Sequence, residues 1–274
     1  MNQPVSRSWT LAARRWVGQL LSTYLSEPLP GSGTAAPTRR ASLLACLRPG
    51  DVVLVEGRSR ISVAIKYLTQ STWSHAALYV GRPLGPPDAD GAMRCFVEAD
   101  LREGVRAVSA AAFAGLHCRV CRPVGLAAQD VEAVIRFVTQ RIGHRYYLKN
   151  VFDLARYLFP TPPVPVRWRR RLLALGSGDP TRAICSTLIA SAFQSVRYPV
   201  LPDVELLPST DPSCGGCIDE VLRVRHHSLF VPRDFDVSPY FEVIKPGLSA
   251  GFDHRRLRWQ EAAPAPEPVH VRAL

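Results

Sequence analysis

Short apolar runs separated by polar turns dominate the middle of the chain, and the period of each run predicts its element. VVLV (52–55), just after the Gly50-Asp51 turn, reads as a strand, and ISVAIKYLTQ (61–70) has the spacing of a helix. Apolar runs at 75–80 and 94–99 predict two more strands on either side of the turn-rich segment GRPLGPPDADGA (81–92). HCRVCRPVG (117–125) reads as a further strand, and AAQDVEAVIRFVTQRIG (127–143) as a helix capped by Gly143. Another helical run covers 150–158. The segment CSTLIASAFQSV (185–196) is a helix whose Leu188, Ile189, Ala192, Phe193 and Val196 form the buried stripe. Short strands beside separated helices predict an α+β fold with an antiparallel sheet packed against helices, not a regular βαβ alternation.

The flanks differ in character. Residues 8–26 predict a basic amphipathic helix, with Leu11, Trp16, Leu20, Leu21, Tyr24 and Leu25 on one stripe and Arg14 and Arg15 off it. LPGSGTAAPTRR (29–40) is a linker by composition, and EAAPAPEPVHVRAL at the end has the Pro/Ala bias of disorder. The expected organisation is an extension and linker over 1–40, a compact domain over 41–247 and a tail over 248–274. No internal repeat is present.

Of the 274 residues 47% are hydrophobic, enough for a sizeable core. No run of 18 apolar residues predicts a membrane span, and Arg14 and Arg15 break any signal-peptide core. Seven cysteines, an odd number, argue for free thiols in a reducing compartment and so for a cytoplasmic address. The net charge of +11 and isoelectric point near 9.7 suggest a polyanionic neighbour. Arg167, Arg169, Arg170 and Arg171 surround Trp168, with Leu172, Leu173 and Leu175 following at once. That mixture favours an anionic lipid surface over nucleic acid, with residues 8–26 and 167–175 as contacts peripheral to the inner membrane. A solvated basic face is the plainer reading of the same charges.

Chemistry concentrates at one histidine. If 75–80 is a strand, His75, Ala77 and Tyr79 share a face. A hairpin folded about Pro86-Pro87 then sets Tyr79 opposite Arg94, Leu78 opposite Cys95 and His75 opposite Glu98, with opposed Cβ atoms about 5 Å apart. An even register slip keeps His75 and Glu98 on one face, while a slip of one separates them. A lone strand histidine is ordinarily structural, but a carboxylate beside it would fix its tautomer and stabilise the imidazolium. Cys185 stands in the first turn of its helix, on the buried stripe, where a small core cysteine is the ordinary outcome. A helix N-terminus also lowers a thiol's pKa, a nearby imidazolium lowers it further, and the free amides suit an oxyanion. Cys185, His75 and Glu98 together form a candidate thiol-hydrolase triad that needs no metal or organic cofactor.

GDVVLVEG, TQSTWSHAALYVG, FVEAD and ICSTLIASAF occur in the order found in circularly permuted papain-like amidases, the YaeF/YiiX-like branch of the NlpC-type cysteine hydrolases. The chain resembles that family over roughly residues 45–245. Ordinary papain-like enzymes place the cysteine helix before the histidine strand, and here the histidine comes first. The resemblance implies a permuted papain-like fold with Cys185 as nucleophile, His75 as base and Glu98 as third polar residue. It also implies amidase or peptidase activity on an amide or ester, with acyl transfer open to the same chemistry. Trp73, Ser74 and Tyr146 are candidates to line the site. Tyr146 matches a tyrosine of relatives, whereas Tyr147 replaces their aspartate.

Other constellations compete. Cys118-x-x-Cys121 and Cys214-x-x-Cys217 have paired zinc-ligand spacing, but residues three apart on a strand face opposite ways. CGGC, in a turn, is the better candidate for metal or redox chemistry. His226-His227 would alternate across a strand and reads as structural. The reading from another class is a non-catalytic basic module that binds membrane or nucleic acid.

Overall fold

The computed structural model describes residues 23–24, 27–28, 35–100, 103–144, 184–209, 213–214, 216–249, 251–256 and 258. Four expectations fall wholly or largely outside them: the helix over 8–26, the helical run 150–158 with Tyr146, the basic segment 167–175 and the terminal tail.

In chain order the elements are α1 (Arg40–Cys46), β1 (Val52–Glu56), α2 (Arg60–Thr69), β2 (His75–Tyr79), β3 (Arg94–Asp100), β4 (Gly104–Ser109), β5 (His117–Pro123) and α3 (Ala128–Thr139). Then come α4 (Ile184–Ser195), β6 (Asp203–Pro208), β7 (Ile218–Arg223), α5 (Pro232–Asp236), β8 (Phe241–Ile244) and α6 (Pro246–Ser249). Six strands form one sheet in the order β4-β3-β2-β1-β5-β8, every neighbour antiparallel, while β6 and β7 pair as a separate ribbon. The fold is thus mixed α+β, an antiparallel sheet packed against helices.

Period-two alternation explains how the sheet is covered on both sides. In β1 every residue is buried, because Val52 and Leu54 face one core while Val53 and Val55 face the other. The first core takes Ala76, Leu78 and Val97 from the sheet, Val134, Ile135 and Val138 from α3, and Leu188, Ile189 and Phe193 from α4. The second joins Ala77, Phe96, Val108 and Val120 to Leu43 of α1 and to Phe113. Phe193 meets Phe241 edge-on at 5.2 Å and Phe235 at 6.4 Å. Burying one such ring stabilises by about 1.5–3 kcal/mol, so α4 is held firmly where its first turn must lie.

Two expectations need correction. The β2–β3 ladder pairs Ala77 with Glu98, Leu78 with Val97 and Tyr79 with Phe96, two residues away from the expected register. The cause is the turn. Proline is locked at a φ of about −65° and cannot supply the positive φ that a two-residue hairpin turn needs, so the tip forms at Asp88–Gly91 instead of Pro86-Pro87. There the Asp88 N–H donates to the Ala92 carbonyl, the Asp90 carboxylate accepts from the Ala92 N–H, and Gly91 adopts φ +75°. Helix α3 also ends at Thr139, and Gly143 lies in the turns beyond it, where its N–H donates to the Val105 carbonyl at 2.8 Å. Among the described residues no helix is long and apolar enough to cross a membrane.

Candidate active site

The segment that enters β2 is tied down before it reaches His75. Trp73 is 3% exposed, and its indole N–H donates to Asp236 Oδ2 at 3.0 Å. The ring stacks on His117 with centroids 5.4 Å apart, and the Arg119 guanidinium lies 4.9 Å from its centroid. Arg119 in turn bonds both Asp236 oxygens, at 2.6 and 2.9 Å. Ser74, also 3% exposed, donates its N–H to the Val55 carbonyl and accepts the Gly57 N–H on its hydroxyl at 3.0 Å. Trp73 and Ser74 therefore spend their polar groups on the scaffold and fix where His75 begins.

His75 opens β2. Its side chain is 27% exposed, and its Nε2 lies 2.8 Å from Glu98 Oε2. The two residues are not directly opposed, but a slip of two keeps the face, and the diagonal distance is within reach of long side chains. With Nε2 committed to Glu98, Nδ1 is the ring nitrogen left to serve the thiol. Glu98 is 5% exposed at its side chain and uses its other oxygen on Arg106, with Nε at 2.9 Å and Nη2 at 2.8 Å. Arg106 Nη1 reaches Glu103 Oε1 at 2.8 Å. Each charge from the imidazole outward thus faces its opposite.

Cys185 is the second residue of α4, 5% exposed and part of the first core. Its sulfur meets the His75 side chain, accepts from the Ala76 backbone N–H and lies 3.9 Å from Ser186 Oγ. Ala76 has that N–H to spare because the β2–β3 ladder stops at Ala77. The nucleophile candidate therefore sits where two strands part.

These contacts set the protonation states. Burial pushes the Cys185 thiol up, but the His75 imidazolium outweighs it, aided by the Ala76 amide and the Ser186 hydroxyl, and the thiol falls below its ordinary 9.0. Burial likewise pulls the His75 imidazole down, yet the charges of Cys185 and Glu98 raise it well above 6.5. Against its own burial, Glu98 is held down at about 2 by His75 and Arg106. A thiolate–imidazolium pair backed by a carboxylate is the arrangement that makes a cysteine nucleophilic near neutral pH.

The structure brings Cys185, His75 and Glu98 together. Sequence reasoning missed Arg106 because it placed no strand at 104–109. The signal was there: Gly104 at φ +79° turns the chain after β3, and VRAVS then alternates. Asp236 and Arg119 were also missed, since nothing local marks a carboxylate that pairs across 163 positions.

The rival constellations resolve differently. Cys118 joins the second core and Cys121 the first, so their sulfurs lie on opposite faces of β5. Burial pushes Cys118 up to about 12 and Cys121 higher still. Cys214 and Cys217 form a disulfide, which corrects the expectation of free thiols for that pair. His227 lies in a 3-10 turn over His227–Leu229 and not on a strand, while His226 Nδ1 lies 2.7 Å from Ser228 Oγ. Among the described residues no three His, Cys, Asp or Glu side chains are grouped to hold a metal ion. No protein-family model matches the chain, and no curated protein matches it either.

Proposed function

We propose that the chain is a cysteine hydrolase acting on an amide or ester carbonyl, with the permuted papain-like arrangement that its motif order resembles. The observation that carries this reading is the contact of Cys185 with His75, which lowers the thiol and raises the imidazole. In the proposed cycle the Cys185 thiolate attacks the carbonyl carbon and forms a tetrahedral oxyanion, which the first-turn N–H of Cys185 helps to hold. His75 gives its proton to the leaving amine or alcohol, and an acyl-thioester remains. His75 then takes a proton from water, the resulting hydroxide equivalent attacks the thioester, and the acid leaves as Cys185 returns to thiolate. Glu98 holds the ring and its charge throughout. A second acceptor in place of water gives acyl transfer at the same site. The basic extensions favour a lipid-linked or membrane-proximal substrate on the cytoplasmic side of an anionic bilayer.

The test is the pH dependence of iodoacetamide alkylation at Cys185, followed by mass spectrometry, in wild type and in His75→Ala. Wild-type Cys185 should react well below the ordinary thiol midpoint of about 8.5, and His75→Ala should raise that midpoint. An activated ester should also leave an acyl adduct on Cys185 alone. Identical, ordinary titration in both proteins would remove the enzyme reading, and the non-catalytic basic module suggested by the charge of +11 would replace it.

A further inference from the structure

Five of the seven cysteines, Cys46, Cys95, Cys118, Cys121 and Cys185, lie outside any disulfide, and the remaining two are bonded to each other. That bonded pair occupies an unusual place. β6 and β7 form a ribbon outside the main sheet, exposed along most of its length, and Cys214 and Cys217 sit in the loop that joins them. We infer that Cys214–Cys217 is a reversible thiol–disulfide exchange site, open to attack by thiol and dithiol reductants and separate from Cys185.

Three observations point the same way. The ribbon does not need the bond. Six residue pairs from Asp203↔Arg223 to Pro208↔Ile218 hold its register, and the Ser209 N–H donates to the Cys217 carbonyl at 2.8 Å just beyond them. A bridge between residues three apart in sequence also encloses a very short loop, where a disulfide restrains the unfolded chain little. Finally, access is unequal in a useful way. Cys217 is exposed and Cys214 half-buried, so an incoming thiolate meets the Cys217 sulfur first. Half-buried Cys95 and buried Cys118 and Cys121 are poorer partners, since burial raises all three above the ordinary thiol value.

The exchange balances as two displacements. A reductant thiolate attacks Cys217 Sγ, the S–S bond breaks, and Cys214 leaves as a thiolate. A second reductant thiolate attacks the reductant sulfur of the mixed disulfide, which frees Cys217 as a thiolate and releases the oxidised reductant. Two electrons pass from two thiols to the pair, and both cysteines take up protons from solvent.

Glutathione is the probe, used on the full chain. The protein is equilibrated over a range of reduced-to-oxidised glutathione ratios, quenched in acid, labelled with N-ethylmaleimide and digested with trypsin. Cleavage after Arg197 and Arg223 leaves both cysteines, and no others, in one peptide. The doubly labelled share of that peptide should rise from under about a tenth to over about nine tenths, following [GSH]²/[GSSG] as one two-electron couple requires. Cys214→Ser treated with oxidised glutathione should trap one glutathione on Cys217. A pair that stays oxidised at every ratio is a structural staple, and one that is reduced at every ratio is no disulfide in solution. Either result overturns the proposal, as does a Cys214→Ser protein that takes no adduct. None of these outcomes touches the hydrolase reading, because Cys185 lies in a different peptide.

Discussion

Replacing Glu98 by Gln removes one charge from the middle of the Cys185–His75–Glu98–Arg106 chain while keeping the size of the side chain. A carboxyl held at about 2, where 4.5 is ordinary, prefers its charged form by about 3 kcal/mol. Coupling is reciprocal, so whatever part of that preference comes from His75 is returned to the imidazolium. Arg106 supplies the rest and burial opposes both, so about 3 kcal/mol is a net figure that sets the scale of what Gln withdraws and not its limit. At about 1.4 kcal/mol per factor of ten, the thiolate–imidazolium pair at pH 7 should become roughly ten- to a hundredfold rarer than the neutral pair. The assay is the second-order rate of iodoacetamide alkylation at Cys185 between pH 5 and pH 9, read on the tryptic peptide that ends at Arg197. Glu98→Gln should slow alkylation at pH 7 by about tenfold or more, and Arg106→Ala, which leaves the carboxylate in place, by less. If Glu98→Gln reacts like wild type across the whole range, the carboxylate does not support the imidazolium and its contact with His75 is merely structural.

Three further outcomes follow from the same geometry. The depressed Glu98 carboxyl stabilises the fold above its ordinary 4.5 and loses that contribution as pH falls toward about 2. Urea unfolding at pH 7 and pH 3 should therefore show the stability gap between wild type and Glu98→Gln narrowing in acid. Trp73→Phe removes a buried indole donor from Asp236 while Arg119 keeps that carboxylate paired, so it should cost about 1–2 kcal/mol in chemical denaturation and also slow Cys185 alkylation through a displaced His75. A Cβ at Gly57 would stand 2.2 Å from Ser62 Oγ and 2.8 Å from Ser74 Oγ, too close for either. Gly57→Ala should lower the melting temperature measurably, whereas Gly247→Ala, with nothing within 4 Å of the added Cβ, should leave it close to wild type.

The elements with strong periodicity were legible. β1, β2, β3, β5, α2 and α4 lie within a residue or two of where hydrophobic spacing puts them. The joining of His75 to Glu98 was legible too, but through parity and not through register. An even slip leaves faces unchanged, so an error of two in the turn did no harm to the site. What stayed hidden has physical reasons. β6 and β7 have every residue but Glu205 exposed, so no buried face imprints a period on them. β8 is four residues long, too short for alternation to stand out. Arg106 lies on a strand whose start depends on one glycine turn, and Asp236 meets Trp73 only through the closed fold. Local patterns carry local structure, and the buffering of a site by distant charges is written nowhere in them.

The bond from Trp73 to Asp236 has a temporal side. Trp73 stands two residues before His75, while Asp236 emerges from the ribosome more than 160 residues later. At about 5–20 residues per second the base strand waits on the order of ten to thirty seconds for its anchor. Cys185 is synthesised within that interval, so the thiol and the imidazole coexist on an unfinished chain before His75 is fixed in place. Prematurely released fragments that end before Asp236 would carry both reactive side chains and lack the means to align them. The late-arriving carboxylate thereby ties the alignment of His75 with Cys185 to a nearly finished chain.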